Sequence, residues 1–499
     1  MQKSLVQRFL VSIAWTSAAN WGIIAISLVQ SILFARILEI ETFGIFAFAY
    51  SIVAIAAAFG KFGSGGAFIY RSKHTENELE AAATLFSFKL ILVALMATLL
   101  LVGTFLFAHE PNLRLALIVL TLSSSFNILF LHIPELILKR RVVHRRLSSI
   151  ELIASLAAVI VSISWVLVQP TIWALLIGDL VKRAVFFAGF YLWRPIWKPQ
   201  VKWHKETLKY YFTIGGKNFS ATSLLTLIDR VDDLWVGTLF GSAALGIYSR
   251  AYRFATYPRQ LIASAINKVL LGTYAELTED KSQLTKAFFR VNAFLIRTGF
   301  FLGGLLSLIA PEFISIVLTD KWLPMLPVFR VMLVFTLLDP LKDSISRVFI
   351  AIGQPGVVFR ARLIQISVLV LGLALFYRFT DFTTIGVAIS VNLMLLTGIT
   401  VLLYKIRSLL QFSLPQLFLA PSIALASSYA VSWLLISNLS TPNIVGTAIV
   451  KTLSFVIVYA GVLFLIEGRT IIKQITQSRQ MAKTDQPDSE SPQLETETL

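Results

Sequence analysis

Apolar runs roughly 20–30 residues long follow one another along most of the chain, separated by short polar stretches, and each run is long enough to cross a bilayer as a helix. The pattern predicts fourteen helical spans at approximately 10–36, 44–69, 82–107, 113–138, 149–168, 172–193, 210–238, 243–270, 288–317, 327–352, 357–377, 384–404, 415–436 and 444–466. The reading is of an all-α integral membrane protein. The first run is too long for a signal-peptide core and no small-residue cleavage site follows it, so it is expected to stay in the mature chain.

One segment occurs twice. Phe43-Gly44-Ile45-Phe46-Ala47-Phe48-Ala49-Tyr50 returns as Leu245-Gly246-Ile247-Tyr248-Ser249-Arg250-Ala251-Tyr252, offset by 202 residues, and each copy sits where one apolar run hands over to the next. That offset holds about six spans. An even number brings the chain back to the same side of the bilayer, so the halves should be parallel repeats about the membrane normal, enclosing a central cavity. The expected organisation is two pseudo-symmetric six-helix lobes plus two C-terminal helices. The N-lobe covers 1–193, a cytoplasmic linker 194–209, the C-lobe 210–404, and spans 13 and 14 lie within 405–466. A disordered tail is expected over 467–499, which is polar and acidic from Lys483 onward and carries Pro487 and Pro492.

Composition agrees with life in lipid: 56% of the 499 residues are hydrophobic and 14% charged, with a mean hydropathy of +0.77. The net charge of +17 lies largely on one side of the predicted membrane. Lys3, Arg8, Arg71, Lys73, the run from Lys139 to Arg146, Arg194, Lys198, Lys202, Lys205 and Lys209 all fall there. By the loop-charge rule that side is cytoplasmic, both termini are cytoplasmic, and nucleic acid is not the partner that the basic balance implies. Trp193, Trp197 and Trp203 interleave with cations at the lobe boundary, as in an interfacial aromatic belt. Cysteine is absent, which rules out disulfides and thiolate metal sites.

Catalysis finds little support. His74, His109, His132, His144 and His204 are scattered over different loops and span ends, without metal-ligand spacing, and no phosphate-binding loop of the form G-x-x-x-x-G-K-[ST] is present. The acidic group Asp229-Arg230-Val231-Asp232-Asp233 superficially resembles the metal-holding aspartates of some glycosyltransferases, but it falls inside span 7, near its extracytoplasmic end. No cofactor and no metal are expected.

Charges inside spans are costly and face water or one another. Spans 7 and 8 together carry six cations, Lys217, Arg230, Arg250, Arg253, Arg259 and Lys268, against three carboxylates, Asp229, Asp232 and Asp233. Helical phase puts Arg250, Arg253 and Lys268 on one face and turns Arg259 elsewhere. Arg250 and Asp232 lie at matching depth and are read as a structural ion pair, with Arg250 also counted among the ligands. Arg253 is nearer the midplane and has fewer carboxylates at its level. Arg297, Lys342 and Arg347 add to the excess, partly offset by Asp339 and Asp343. Surplus arginines in a wet cavity select anions, above all phosphate or pyrophosphate, which paired donors can grip. Pro340 in span 10, and Gly60, Gly63, Gly65 and Gly66 in span 2, mark helices able to bend or pack closely.

These residues resemble a known family, the Wzx-type polysaccharide flippases of the MOP superfamily, in their WzxC-like branch. The likeness is carried by Phe59-Gly60-Lys61-Phe62-Gly63-Ser64-Gly65 with Arg71, and by Pro134 ahead of the basic loop. In the second half it is carried by Asp229-Arg230-Val231-Asp232-Asp233, the 245–252 segment, Pro258, and Lys321-Trp322-Leu323-Pro324 with Pro327 and Arg330. Lys61 departs from the acidic residue common in that branch, and Leu271-Gly272-Thr273 replaces a proline-containing end of span 8. The resemblance implies a bacterial cytoplasmic-membrane transporter that flips undecaprenyl-pyrophosphate-linked oligosaccharide units for cell-surface polysaccharide. Membrane lipid, the polyprenyl-pyrophosphate-linked oligosaccharide and polysaccharide assembly proteins would be its partners. Two alternatives stand beside it. A MATE-type cation-coupled exporter is opposed by the lack of any acidic residue from Phe9 to Leu38. A membrane glycosyltransferase or polymerase is opposed by the duplication, which suits alternating access.

Overall fold

The computed structural model describes residues 5–70, 77–141, 143–379, 384–438 and 443–484, with side chains described outside 5–19, 70, 144, 262–269, 336 and 469–484. The stretch expected to form the N-lobe runs α1 (Leu5–Ile37), α2 (Ile40–Lys61), α3 (Ser64–Tyr70), α4 (Glu78–Phe107), α5 (Pro111–Phe126), α6 (His132–Arg140), α7 (His144–Val168) and α8 (Trp173–Phe187). The stretch expected to form the C-lobe continues with α9 (Lys205–Ile228), α10 (Val231–Glu276), α11 (Lys281–Leu308), α12 (Ala310–Phe313), α13 (Leu326–Ala351), α14 (Pro355–Phe379) and α15 (Thr384–Ile406), followed by α16 (Leu414–Asn438) and α17 (Ile444–Thr484). The described residues up to Phe412 pack as one body and those from Ser413 as a second.

Eleven helices among the described residues are long and apolar enough to cross a membrane. The other three expected spans, 172–193, 210–238 and 243–270, fall on α8, α9 and α10; α8 is short at 15 residues, whereas α9 and α10, at 24 and 46 residues, are long enough but not sufficiently apolar. Where the backbone stops being helical, side chains explain it. Asn77 caps α4 by accepting from the Leu79 N–H at 3.1 Å, and Pro111 opens α5, where its missing N–H costs nothing. Asp280 caps α11 by accepting from the N–H groups of Gln283 (3.0 Å) and Ser282 (2.9 Å). Those bonds hold its carboxyl below the usual range.

Span 2 is broken. Phe62 and Gly63 both have left-handed backbone, φ 46° and 59°, and the Ser64 hydroxyl donates to the Lys61 carbonyl at 2.6 Å across the break. Span 7 is broken as well, contrary to the expectation of one helix over 210–238. α9 ends at Ile228, Arg230 is non-helical, and Gly241 (φ 84°) separates residues 231–240 from the long second part of α10. The acidic cluster therefore lies at a break, not inside a helix. Asp232 and Asp233 occupy the first turn of α10, where the helix N-terminus favours negative charge.

One core cluster gathers Phe68 of α3, Leu85 and Phe86 of α4 and Ile137 of α6 with Tyr211 of α9 and Trp197 of the linker. Trp197 is 5% exposed and meets Phe86 edge-on at 5.7 Å, whereas Trp193 and Trp203 are more than half exposed. The expected three-Trp belt is thus two surface rings and one core plug. The second body is held by Tyr429 and Tyr459 packing on Phe455 and by a buried Ser432–Ser454 hydroxyl pair at 2.8 Å. α17 continues to Thr484, although a disordered tail was expected from 467. Its extension, from Glu467 to Thr484, carries three Gln, two Lys and two Arg, which favour helix even without an unbroken apolar run. The remainder of the expected tail, 485–499, lies outside the described residues.

Candidate functional site

The repeated segments meet each other. A Cβ at Gly44 of α2 would stand 1.7 Å from the Ser242 carbonyl oxygen, and one at Gly246 of α10 would stand 2.1 Å from that of Ile40. Ile40 and Ser242 are themselves separated by the repeat offset, so each glycine faces the repeat mate of its own neighbour across a local two-fold axis. Only glycine permits this backbone contact.

Around the Gly44 contact the lobes are fastened by side chains. Ser242 donates to Glu41 at 2.7 Å and Ser51 of α2 to Asp233 at 3.0 Å. Arg36 of α1 donates to the Val317 carbonyl at 2.8 Å, Lys321 to that of Leu38 at 2.9 Å, and the indole of the fully buried Trp322 to that of Ala35 at 2.8 Å. Phe43 meets Trp322 edge-on at 5.6 Å. At the opposite end, nearer the linker, a different contact joins the lobes. Phe62 stacks on Phe219 of α9 at 5.1 Å and also touches Phe88 and Phe212.

Between those ends runs a stripe along α10 that faces α1. Arg250 lies 4.3 Å above the Phe43 ring and donates to the Ser31 hydroxyl at 3.3 Å. One turn on is Arg253, and one turn beyond it Tyr257, whose hydroxyl donates to the Ser27 carbonyl at 3.1 Å. Arg253 is exposed; its contacts are with Tyr257, the Nε at 3.4 Å from the hydroxyl, and among the described residues it has no carboxylate. The expected Arg250–Asp232 pair does not form. Asp232 instead accepts from the Tyr248 hydroxyl at 2.6 Å, while Arg250 turns away across the lobe interface to α1 and α2. Lys268 lies outside the described side chains.

The remaining expected ligands are elsewhere. Arg297 is half-buried on α11. Lys342 of α13 lines a cavity of about 190 Å³ inside the C-lobe, where it pairs with Asp339 at 2.5 Å. Arg259, from the other face of α10, pairs with the same carboxylate. That cavity carries four carboxylates, Asp229, Asp232, Asp339 and Asp343, against Arg259, Lys342 and Arg362, so it is not where surplus positive charge collects. The surplus stands between the lobes, at Arg250 and Arg253. Arg347 lies further along α13 with its Nε buried and unpartnered.

With the geometry in hand, comparison with known proteins decides the family. Residues 33–327 match the family described as polysaccharide biosynthesis protein. The chain belongs to that family. It is 26% identical over 366 residues to the teichuronic acid biosynthesis protein TuaB of Bacillus subtilis, a match covering 71% of this chain and 74% of that one. It is 24% identical over 365 residues to the lipopolysaccharide biosynthesis protein WzxC of Escherichia coli, covering 72% and 73%. Its fold is that of the lipid II flippase MurJ in an inward closed conformation, with a TM-score of 0.74 over 91% of this chain and 99% of that one at 16% identity.

For this member of the polysaccharide biosynthesis family, sequence reasoning missed two features of the site. One is the Arg36, Lys321 and Trp322 fastening, whose acceptors are all backbone carbonyls and leave no side-chain signature. The other is a buried Lys89–His132 pair in the N-lobe. A lone lysine in an otherwise apolar helix was its only signal. No group of three or more metal-ligating side chains occurs among the described residues.

Proposed function

We propose that this protein flips polyprenyl-pyrophosphate-linked oligosaccharide units across the bacterial cytoplasmic membrane by alternating access of two lobes, for cell-surface polysaccharide. The observation that carries the reading is Arg253, an exposed guanidinium between the lobes with no carboxylate partner among the described residues, one turn from Arg250. A planar pair of donors in that position suits a pyrophosphate oxygen pair, while the lipid chain stays in the bilayer. Arg250 and Arg253 form the primary anion site; Arg297 and Arg347 are secondary, and Lys342 is committed to Asp339.

The rest of the molecule supports this reading. The basic loops favour a cytoplasmic linker end, which puts the Gly44 fastening on the outer side, while Phe62 on Phe219 and Gly63 against Gly215 also hold the lobes together at the cytoplasmic end. Within this scheme the N-lobe is 1–193, the linker 194–209 and the C-lobe 210–404, with both termini cytoplasmic. Nothing in the described site calls for a catalytic step.

The test is surface polymer in a host lacking its own flippase, normalised to membrane protein level. Arg253→Ala is expected to leave normal amounts of folded protein and abolish polymer. Arg253→Lys should restore little, because a point charge does not reproduce paired donors. Normal polymer from Arg253→Ala at the parental abundance would remove Arg253 from the substrate site.

A further inference from the structure

Lys89 of α4 has no exposed surface, and its ammonium is hydrogen-bonded to Nδ1 of His132, the first residue of α6. Among the described residues no carboxylate lies within ion-pair distance of it. An ammonium held inside a membrane protein without a counter-ion is expensive. The amine–imidazole pair has a cheaper state one proton away. With His132 neutral and accepting through Nδ1 the pair carries one positive charge, and on losing one proton it becomes a neutral hydrogen-bonded pair. A second proton would set two cations in contact, which burial opposes. His132 is half-buried, whereas Lys89 has no exposed surface.

The neighbourhood is limited. The charges that reach the pair are Lys61 on α2 and Glu135 and Lys139 on α6, and the last two are paired with each other at 2.5 Å. On α9, Tyr211 donates to the Ala81 carbonyl. On α8, Arg183 reaches only as far as Lys61 and is tied to Asp179.

Two observations connect this pair to movement. A π-helical turn, Asn127–Leu131, ends immediately before His132, and such insertions gather at functional positions. The pair also touches the break in span 2 from both sides. Gly65 of α3 backs onto the imidazole, so that a Cβ there would lie 3.5 Å from its Cε1, and Phe88, next to Lys89, meets Phe62 edge-on at 5.5 Å. Phe62 and Gly63 are the left-handed residues of that break, and Gly63 lies against the α9 backbone of the other lobe, where a Cβ would stand 2.4 Å from the Gly215 oxygen.

We propose that Lys89 and His132 form a one-proton binding site whose occupancy sets the Phe62–Gly63 hinge and, through it, the α2–α9 contact between the lobes. The proposal supplies the flipping cycle with a proton as its coupling ligand; only that use rests on the transport reading.

The test needs no lipid-linked substrate. Full-length protein in lipid nanodiscs is spin-labelled at Glu80→Cys on α4 and Ser220→Cys on α9, both exposed positions in a chain without native cysteine. Between about pH 5.5 and about 9 the distance distribution is expected to follow a one-proton transition, the ratio of its two populations changing by up to about tenfold per pH unit. Lys89→Met should abolish the pH response. Lys89→Arg, which keeps a permanent charge, should hold the low-pH distribution throughout and serves as the test if the Met variant does not fold. A pH-independent distribution in the parent, or the parental response in either variant, would overturn the proposal. Polymer output of Arg253→Ala is read separately, so failure of the anion site and failure of the proton site are distinct results.

Discussion

Asp232 and Arg250 show how far a single residue can be placed from depth and helical phase. Matching depth was expected to pair them, yet the carboxylate is held by Tyr248 and the guanidinium by Phe43 and Ser31. Phase along one helix says nothing about a break such as Gly241 between the two, nor about which neighbouring helix arrives first. A double-mutant cycle in detergent-purified protein should therefore give a coupling of about 1–3 kcal/mol for Tyr248→Phe with Asp232→Asn. Arg250→Ala with Asp232→Asn should couple by less than about 0.5 kcal/mol; a larger value would reinstate the ion pair. Asp339 is the opposite case. It is 1% exposed and neutralises both Arg259 and Lys342, so Asp339→Asn should cost about 3–5 kcal/mol of folding stability by stranding two cations, read as the loss of monodisperse protein on heating. The buried Lys89 was hidden in the sequence because its partner is chosen by the approach of α6, not by spacing within α4.

Helices were the most legible elements, since bilayer thickness demands apolar runs that no polar pattern can imitate. The expected span at 384–404, for example, is α15 at Thr384–Ile406. The bend in span 2 was signalled by its glycines, where α9 presses on Gly63, but the break in span 7 was not legible, because it is held by a partner from another helix: Ser51 anchors Asp233 beside the α9–α10 break. The glycines separate these effects. Gly63 has φ 59° and would drive a Cβ into the backbone around Gly215 and Phe219, whereas Gly103 of α4 has open space around it. Gly63→Ala should lower the thermal midpoint through both strain and overlap, with at least about 1 kcal/mol from the backbone conformation alone. Gly103→Ala should be neutral or raise it. Equal effects at the two positions would mean that the α2–α9 approach is loose.

At the scale of the whole molecule, the repeat was readable as an eight-residue echo, but the echo did not say that its two copies touch. They do, with a Cβ at Gly44 standing only 2.9 Å from the Gly246 nitrogen, and the surrounding fastening makes that contact the closed side of the proposed cycle. Alternating access requires it to open in every turnover. Cysteines in place of Glu41 and Ser242, whose side chains are hydrogen-bonded at 2.7 Å, can lock it in a chain that has no other cysteine. The decisive measurement is polymer export by the Glu41→Cys, Ser242→Cys protein with the cross-link formed and then reduced. Export should stop when the cross-link is complete and return on reduction; undiminished export through a fully cross-linked protein would contradict the account.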